Sequence, residues 1–595
     1  MSVSSWIDVN NLLNKRNVAA GLIGLLSFFS LSAIIKAVRK SMRTSRLEDV
    51  RKKTRSARDS KIDRFLYEHK HEVSKEKQMK ILEVDVTELV KMIKSKKVTC
   101  EEVFITYAVR AGTVGKDLNL IAYVDFENGL KLAKEADKDI REGKELGALH
   151  GVPVSFYEQI SIKGLLTTCG YTNYSNNINS QDSLIVRLLK KEGAIPFVKS
   201  NVPQGFFALE ASNYLWGNAK NPWNTLRTTG GSNGGEAGLV AARCSPFGIG
   251  SDLFGSLRIP SSFCGVYGFK PTSSRTSTQG SILYKGSNFS EFNTFSSSYG
   301  PICRSMEDVL LISRNLLGKF EADVYVDNKA FDEDTYSSVI DNNNRPVRIG
   351  FFKDILDLPS SPAVKDTLDD LITFLKTNGY HLIEFPIDKF EEFIQVGMAL
   401  LMNSDFTSLI NRELNEEPME EYHKNLSHLT TSSNLGLTFC SAFKSMTGNL
   451  REAKFISNFK NMSRGEYIDA NRRYAELRSE FIKYWQENKF DAIISPVFPT
   501  TALEFGQMHK LLPYNHFAYI YNFADLPAVA VPIKMNKNTT YTDTYNDSLS
   551  EVIKSNMKTS DELPVSIQVG ALPGRDEWVL RLAKEIDYFY KVPSS

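Results

Sequence analysis

Two glycine-rich segments each hold one serine, and together they could catalyse acyl transfer. The first is residues 230–236, GGSNGGE, which contains Ser232, and the second is residues 251–260, SDLFGSLRIP, which contains Ser256. Glycine permits backbone conformations in which several N–H groups point at one position. A serine in such a loop can act as a nucleophile beside N–H donors that stabilise an oxyanion. The two segments therefore predict a serine-based acyl-transfer site.

This pair of segments resembles the amidase signature family. In that family the second serine attacks an amide or ester carbonyl, and the first serine bridges it to a lysine that acts as the base. The resemblance implies that Ser256 occupies the nucleophile position and that Ser232 is the bridging serine. It also implies that Asp252 and Arg258 support the loop through a charge pair. The implied oxyanion hole consists of the backbone N–H groups of Leu253, Phe254, Gly255 and Ser256.

The position at which the family carries its lysine base holds Tyr157. Residues 151–158, GVPVSFYE, match the family's segment around that lysine, and Lys163 matches a separate lysine in the turn that follows. Burial raises the pKa of a tyrosine from its usual value of about 10. Even an unshifted tyrosine is only about one part in a thousand tyrosinate at about pH 7, which corresponds to roughly 4 kcal/mol. We therefore predict that Tyr157 does not act as a base and that its neutral hydroxyl hydrogen-bonds to Ser232.

Two further departures from the family pattern lie in the same small site. The relatives have a glycine at the position of Phe254 and usually a second serine at the position of Asn233. A phenylalanine is more restricted in φ than a glycine, and it adds a ring beside the reacting centre. Asn233 can still form local hydrogen bonds, so this change is the mildest. Together with Tyr157, these departures predict that hydrolysis is weak or lost.

The resemblance extends over most of the chain, from Leu82 to the C-terminal helix. Matches to the fatty acid amide hydrolase branch include residues 201–204 (NVPQ), 221–223 (NPW), 263–272 (FCGVYGFKPT), 521–528 (YNFADLPA) and 563–568 (LPVSIQ). Short apolar runs such as 194–198 and 492–496 alternate with helical periods, which favours a parallel sheet covered on both faces. The predicted fold class is α/β: an amidase-signature fold with a large, mainly parallel mixed sheet between helices, and with an N-terminal transmembrane helix.

Composition excludes several other classes of protein. The net charge of the 595 residues is +2, so no global positive field favours nucleic acid. The six cysteines form no Cys-x-x-Cys pair, which argues against a zinc site and is typical of reduced thiols in a cytosol-like compartment. We predict no metal, no cofactor and no nucleic-acid partner.

The N-terminal segment points to a membrane. Residues 18–35 carry no charge, and their length is close to the lower limit for crossing a bilayer core of about 30 Å. Most of the flanking basic residues follow the segment, so the positive-inside rule places the main domain on the cytosolic side. A signal peptide would end in small residues at a cleavage site, and a long uncharged core fits a mitochondrial presequence poorly. We predict a single-pass anchor in an endomembrane, in preference to a mitochondrial membrane.

The chain then divides into four parts. These are a short N-terminal tail over residues 1–16, the transmembrane anchor over 17–36, a basic, charged helical connector over 37–80 and the amidase-signature domain over 81–595. We expect the connector to be exposed and to lie near the membrane surface. An apolar run at residues 398–402 lies in a predicted helical segment, and packing in the core is its favoured explanation.

Three hypotheses for function follow. The favoured one is a membrane-anchored pseudoenzyme of this family, catalytically impaired because of Tyr157, that binds lipid or serves as a scaffold. The first alternative is an active serine hydrolase of fatty acid amides or esters that forms an acyl-enzyme on Ser256. The second alternative is a structural subunit of a membrane complex. By resemblance the small-molecule partner is lipid-like, a fatty acyl amide or ester, and relatives include homodimers.

Overall fold

The computed structural model describes most of the chain. Residues 1–6, 283–293, 321, 338–344, 404–409, 411, 415–416, 538–540, 542–544 and 590–595 are not described, nor are the side chains of residues 7–37 and 589. The chain divides into two units, residues 1–55 and residues 56–595. The predicted anchor at residues 18–35 lies outside the residues whose side chains are described. Within the described part of the chain, no helix carries an apolar stretch long enough to cross a bilayer.

The helices precede, separate and follow the strands along the chain. They are α1 (Ile7–His69), α2 (Lys75–Glu83), α3 (Val86–Lys94), α4 (Cys100–Arg110), α5 (Phe126–Arg141), α6 (Leu184–Lys191), α7 (Gly234–Ala241), α8 (Arg258–Cys264), α9 (Met306–Leu316), α10 (Glu333–Ser337), α11 (Pro362–Thr377), α12 (Glu391–Met402), α13 (Glu421–Thr431), α14 (Asn434–Met446), α15 (Leu450–Ser457), α16 (Arg464–Glu487), α17 (His516–Phe523), α18 (Ser548–Met557) and α19 (Asp576–Phe589).

The strands of the described residues form one large sheet that helices flank. They are β1 (Ile121–Val124), β2 (Pro153–Phe156), β3 (Ile195–Ser200), β4 (Gly248–Asp252), β5 (Tyr267–Lys270), β6 (Ser298–Cys303), β7 (Arg348–Phe351), β8 (His381–Glu384), β9 (Ala492–Pro496), β10 (Ala528–Met535) and β11 (Pro564–Gly570). Their order in the sheet is β1-β3-β2-β4-β6-β5-β10-β11-β9-β7-β8.

The sheet is mixed, and the prediction that it is mainly parallel is wrong. In the described part of the chain, β2 pairs in parallel with β3 and β4, and β7 pairs in parallel with β8 and β9. The other six pairings are antiparallel. Two of these pairings arise because β6 lies between β4 and β5, so the helical crossover through α8 does not join neighbouring strands. Alternation of strands and helices in a sequence does not reveal such an inserted strand.

Two neighbouring parallel strands, β2 and β4, position the site. Both are buried along their whole length, and Phe156 of β2 pairs with Ile249 of β4. Because the two strands are parallel, their carboxyl ends lie at the same edge of the sheet. Tyr157 directly follows β2, and the segment that begins at Leu253 directly follows β4. This edge is where α/β sheets commonly bind ligands.

The hydrophobic core includes residues of α12 and of the predicted connector in α1. Met398, Leu400 and Leu401 of α12 are buried, so this apolar run lies inside the protein, where Met398 and Leu401 also line an apolar cavity. In the second unit, Phe65 of α1 is also buried, and its ring centroid lies 5.1 Å from that of Phe126. The predicted connector is therefore not exposed throughout, because this part of it packs into the main body.

Candidate active site

Ser256 lies in the turn between β4 and α8. Gly255, the residue before it, has a φ of +95°, in the region that favours glycine. A Cβ atom at this position would lie 2.5 Å from the Cβ of Ala518. The turn therefore requires glycine at position 255. It leaves Ser256 partly accessible, where it lines a cavity together with Ser232.

A buried ion pair fixes this turn. Asp252 accepts a hydrogen bond from Nε of Arg258 at 2.9 Å, and neither side chain is exposed. Asp252 also accepts hydrogen bonds from the backbone N–H groups of Gly255 and Leu257, at 2.7 and 3.3 Å. Burial by itself would raise the pKa of Asp252, but the charge and hydrogen bonds of Arg258 outweigh it and hold the pKa below its usual value. This geometry fits the supporting role that the resemblance implies.

Two residues from distant parts of the chain complete the ion-pair network. Arg258 donates to Oε1 of Gln568 at 2.7 Å and to Oδ1 of Asn522 at 2.6 Å. Asn522 in turn donates to Asp252 at 2.8 Å. Both amides lie in segments whose motifs resemble the family, yet the sequence did not reveal what they contact. That contact depends on how α17 and β11 pack beside the turn.

Asn233 joins the two serine loops. Its Nδ2 donates to the carbonyl oxygens of Ser251 and Ser256, at 2.7 and 2.5 Å. Its Oδ1 accepts from the backbone N–H of Ser251 at 3.0 Å. An amide supplies both a donor and an acceptor in fixed positions, which a serine hydroxyl cannot reproduce at all three contacts. The residue that the sequence marked as the mildest departure therefore holds the Ser232 loop against the Ser256 loop.

The predicted oxyanion hole is only partly available. Among the described residues, the backbone N–H groups of Leu253, Phe254 and Ser256 form no hydrogen bond. The N–H group of Gly255 donates to Asp252 instead, so Gly255 does not fit the predicted role. The N–H groups of the other three residues have no competing acceptor among the described residues.

Tyr157 is fully buried and lines the same cavity as the two serines. Burial raises its pKa well above the usual value of 10, and the nearby Ser232 side chain opposes this rise only in part. The charge of Glu158 raises the pKa further. The Ser232 side chain lies close enough to influence the Tyr157 hydroxyl, but this hydroxyl forms no hydrogen bond of full geometry within the described part of the chain. Tyr157 is therefore a neutral phenol.

A buried lysine lies near this tyrosine but is engaged elsewhere. Lys199 of β3 pairs with Phe156 of β2, one residue before Tyr157. Its Nζ donates to the carbonyl oxygen of Leu166 at 3.0 Å and to the hydroxyl of Thr167. Burial lowers the pKa of Lys199 to about 8. Lys199 does not line the cavity, so its ammonium group does not face the two serines there.

Glu236 is a buried carboxyl group that the sequence analysis missed. It lies in α7, and one of its oxygens accepts a hydrogen bond from the hydroxyl of Ser155 in β2. Its Oε2 has no hydrogen-bond partner among the residues described. Burial raises the pKa of Glu236 to about 8, against the opposing hydrogen bond of Ser155 and the nearby hydroxyl of Ser200. This carboxyl group is therefore mostly protonated at neutral pH.

The cavity beside the serines is small. Its volume is about 50 Å³, and its lining residues are Tyr157, Gln159, Phe206, Phe207, Ala208, Leu209, Ser232, Ser251, Leu253, Phe254, Ser256, Tyr422 and Tyr519. An adjoining cavity of about 40 Å³ has a mainly apolar lining, and Phe207, Phe254, Tyr422 and Tyr519 line both. Pockets for drug-sized ligands are about 300–1,000 Å³. The site cavity therefore admits a group of only a few atoms.

Other reactive side chains lie away from this cavity. Among the residues described, no group of three or more histidine, cysteine, aspartate or glutamate side chains could hold a metal ion. Five of the six cysteines are buried, and Cys440 of α14 is exposed. The serine pair therefore remains the candidate centre for chemistry.

The family, sequence and structure comparisons each find similarity to amidases. The family model described as Amidase matches residues 102–580. Fatty-acid amide hydrolase 1 of Sus scrofa is 30% identical over 518 residues, which covers 85% of this chain and 86% of the relative. Vitamin D3 hydroxylase-associated protein of Gallus gallus is 32% identical over 372 residues, or 62% of this chain and 77% of the relative. A solved structure of a fatty acid amide hydrolase has a TM-score of 0.72 at 23% identity, over 91% of this chain and 94% of that chain, which supports the fold.

Proposed function

This chain belongs to the amidase family, and from that premise we propose that it binds acyl amides at its serine pair and hydrolyses them slowly or not at all. The observation that carries the proposal is the state of Tyr157. It is fully buried, its pKa is raised well above 10, and its hydroxyl has no partner among the described residues. The position that the resemblance assigns to a base therefore holds a group that keeps its own proton.

Hydrolysis requires a proton acceptor, and the described lining of this cavity contains no histidine, lysine, aspartate or glutamate that could serve as one. Ser256 Oγ would attack the carbonyl carbon and lose its proton, while the free N–H groups stabilise the oxyanion. The leaving amine must gain a proton before the C–N bond breaks, and water must lose one when it attacks the acyl-enzyme. Ser232 can pass a proton on but cannot store it, because a hydroxyl that accepts one proton must release another. The proton then needs an acceptor beyond Ser232, and Tyr157 offers none.

The fatty acyl class of ligand rests on similarity. The relative from Sus scrofa is named as a fatty-acid amide hydrolase, and we extend that class of compound to this chain as a proposal. The amide group would lie at the serines, since both Ser232 and Ser256 line the cavity.

A working hydrolase of fatty acid amides or esters is the second candidate. The three unengaged N–H groups, of Leu253, Phe254 and Ser256, favour it because an oxyanion hole contributes to catalysis even without a base. In this case a water molecule would take the place of the lysine, and Ser256 would form the acyl-enzyme. No specific observation favours the third hypothesis, a purely structural subunit.

We further propose that the chain attaches to a membrane through residues 18–35 and through an exposed face of α14. Leu435, Phe439, Phe443 and Met446 are each at least 64% exposed, and their spacing places them on one side of the helix. Contiguous apolar surface of this kind commonly marks a membrane or protein contact. A second copy of the chain that covered this face would instead produce a homodimer.

Turnover of a short acyl amide, butyramide, tests the catalytic proposal. The native chain should hydrolyse it slowly, and Tyr157→Lys should raise the rate by about 10²–10⁴-fold because it restores a positioned base. Ser256→Ala combined with Tyr157→Lys should return the rate to the baseline. Rapid turnover by the native chain, abolished by Ser256→Ala alone, would identify the second candidate as correct.

Flotation with phospholipid vesicles tests the membrane proposal. Deletion of residues 1–40 should reduce the fraction that floats, and Phe439→Ser with Phe443→Ser should reduce it further. Val324→Ser with Tyr325→Ser is the matched control, because these side chains are 87% and 89% exposed and lie outside α14. Equal flotation of all variants would contradict the proposal. Loss of a dimer in sedimentation, with flotation unchanged, would assign the α14 face to a second copy.

A further inference from the structure

Two buried polar groups that line the site cavity have no hydrogen-bond partner among the described residues. They are Oη of Tyr157 and Nε2 of Gln159, whose side chains are 0% and 1% exposed. The other end of the Gln159 amide is held, because its Oε1 accepts a hydrogen bond from the Ser251 hydroxyl at 3.3 Å. A buried donor without an acceptor is energetically costly. A ligand that supplies an acceptor here would therefore bind favourably.

The unpartnered groups indicate which atom of a ligand they would contact. The neutral hydroxyl of Tyr157 and the amide nitrogen of Gln159 can both donate a hydrogen bond. A carbonyl oxygen accepts two hydrogen bonds through its two lone pairs. The lining of the cavity is therefore matched to the carbonyl oxygen of a ligand.

The charge of the lining favours a neutral ligand. Every residue that lines the cavity within the described part of the chain is a tyrosine, glutamine, serine or apolar residue, so the lining contains no cation. Tyr157 stays neutral because burial raises its pKa well above the usual value. A carboxylate would enter this site without a counter-ion, which disfavours its burial strongly. An amide of the same size and shape carries no such penalty.

Phe254 limits the length of the ligand. Its side chain lines both the site cavity and the adjoining apolar cavity. The ring packs edge-on against Phe295, Tyr519 and Phe523, with centroid distances of 5.4, 5.4 and 6.3 Å. A ring packed on three sides cannot swing aside without displacing its neighbours. The acyl group that fits beside the serines therefore has only a few carbons.

We propose that the site cavity binds a small neutral carbonyl compound, a primary amide with a short acyl chain. Tyr157 and Gln159 donate hydrogen bonds to the carbonyl oxygen, and Phe254 closes the acyl side. This inference rests on the proposed function, because it assigns position 157 to holding a ligand and not to accepting a proton. It restricts the proposed acyl amides to short chains as long as Phe254 is present.

A ligand-observed NMR titration of the full chain with propionamide and propionate at pH 7 tests the preference for a neutral ligand. The two compounds have nearly the same shape, and propionamide should bind at least tenfold more tightly. Tyr157→Phe should weaken propionamide binding about five- to tenfold, since it removes one hydrogen bond. Tyr299→Phe is the matched control, because Tyr299 is equally buried, bonds to Ser281 and does not line the cavity. Its affinity for propionamide should equal that of the native chain.

The same titration with octanamide tests the role of Phe254. Native protein should not bind octanamide measurably, and Phe254→Ala should bind it because the two cavities then join. Phe481→Ala is the control, since Phe481 is also buried but packs on Phe390 and not on Phe254, and lines neither cavity. If Phe481→Ala admitted octanamide as well, general loosening and not the ring of Phe254 would set the length, and this part of the proposal would be overturned.

Three further results of the propionamide and propionate titration would overturn the proposal. Equal or tighter binding of propionate, or an unchanged propionamide affinity in Tyr157→Phe, overturns the assignment of donors and charge. Binding of neither compound would mean that ordered water alone satisfies these groups, and it too overturns the proposal. Since binding is measured separately from turnover, rapid hydrolysis by the native chain would refute the proposed function while the ligand preference is still read from the titration.

Discussion

Two parts of the cavity lining differ in how their polar groups are satisfied. The serine wall, residues 230–233 and 251–258, is tied together by Asn233 and by the network of Asp252 and Arg258. The tyrosine wall, which comprises Tyr157, Gln159 and the adjacent ring of Phe206, leaves two buried polar atoms without partners among the described residues. The contrast shows that the hydrogen bonds that hold the two serine loops together do not involve the Tyr157 hydroxyl. The hydrogen bonds of the serine wall support folding whether or not the chain turns over a substrate.

The largest expected effect is on the serine wall. Arg258→Ala leaves the carboxylate of Asp252 buried and unpaired, and the loss should be about 3–5 kcal/mol of the free energy of unfolding. Urea unfolding of the full chain measures it. Arg345→Ala is the control, because it removes a partly exposed pair with Asp491 of similar bond length and should cost about 1 kcal/mol or less. Equal losses would mean that the buried pair does not hold the turn.

Arg258→Lys is a milder variant that tests the same contacts if Arg258→Ala does not fold. A lysine keeps the charge but loses the planar fork that reaches Gln568 and Asn522. Its unfolding midpoint should lie between those of the native chain and the alanine variant. A midpoint equal to the native value would contradict the importance of those two contacts.

A smaller effect is expected where the two serine loops meet. Asn233→Ala removes three hydrogen bonds of 2.5–3.0 Å and leaves buried backbone groups unpaired, which should cost about 1–3 kcal/mol. Asn233→Ser should lose less, since a hydroxyl retains part of the bonding. Urea unfolding again measures the change, with Asn378→Ala on the exposed end of α11 as the control. A loss no larger than the control's would show that the loops hold each other without Asn233.

Protonation of Glu236, which lies next to the serine wall, makes the free energy of unfolding depend on pH. Its folded pKa is about 8 and its usual value is 4.5. Above 4.5 the unfolded chain releases this proton while the folded chain keeps it. Its contribution to the free energy of unfolding is therefore fully present below pH 4.5 and is lost as the pH rises toward 8, at up to about 1.4 kcal/mol per pH unit.

Glu236→Gln tests this slope, because glutamine does not titrate. Between pH 5 and 8 the free energy of unfolding should fall less steeply with pH in the variant than in the native chain. The two slopes should differ by up to about 1.4 kcal/mol per pH unit. Unfolding curves at pH 5, 6.5 and 8 give the two slopes, and Glu76→Gln, at an exposed side chain, should keep the native slope. Parallel slopes for Glu236→Gln and the native chain would show that Glu236 titrates normally.

The smallest expected effect is on the tyrosine wall. Tyr157→Phe removes a buried hydroxyl that has no partner among the described residues, so stability should stay the same or rise by about 1 kcal/mol. Tyr299→Phe removes a hydroxyl that bonds to Ser281 and should lower stability by about 1 kcal/mol. Thermal or urea unfolding distinguishes the two. If both variants lost the same amount, the Tyr157 hydroxyl would have a partner in solution and the contrast between the walls would weaken.

Sequence motifs predicted the parts of this molecule that depend on local pattern. The α/β class and the amidase family are confirmed by the comparisons, and Asp252 and Arg258 form the expected pair, six residues apart along one turn. The direction of the strands could not be predicted, because it depends on β6 entering between β4 and β5 from a later part of the chain.

The finer features of the site arise from long-range packing. Gly255 was expected in the oxyanion hole, but its N–H group is directed at Asp252, which only the folded turn reveals. Phe254 was recognised as a departure, yet its place between two cavities depends on rings contributed by Phe295 and Tyr519, far away in sequence. The bond expected between Tyr157 and Ser232 stays a prediction, since Ser232 lies near this hydroxyl without the geometry of a well-formed hydrogen bond.

The single exposed thiol allows a dye to be attached to the native chain at one defined position. Cys440 lies next to Phe439 on α14, and the other five cysteines are buried. A maleimide dye should therefore attach at one position, with a stoichiometry near one, without any engineered substitution. An environment-sensitive fluorophore at that position would shift its emission toward the blue when vesicles are added, if this helix enters the headgroup region.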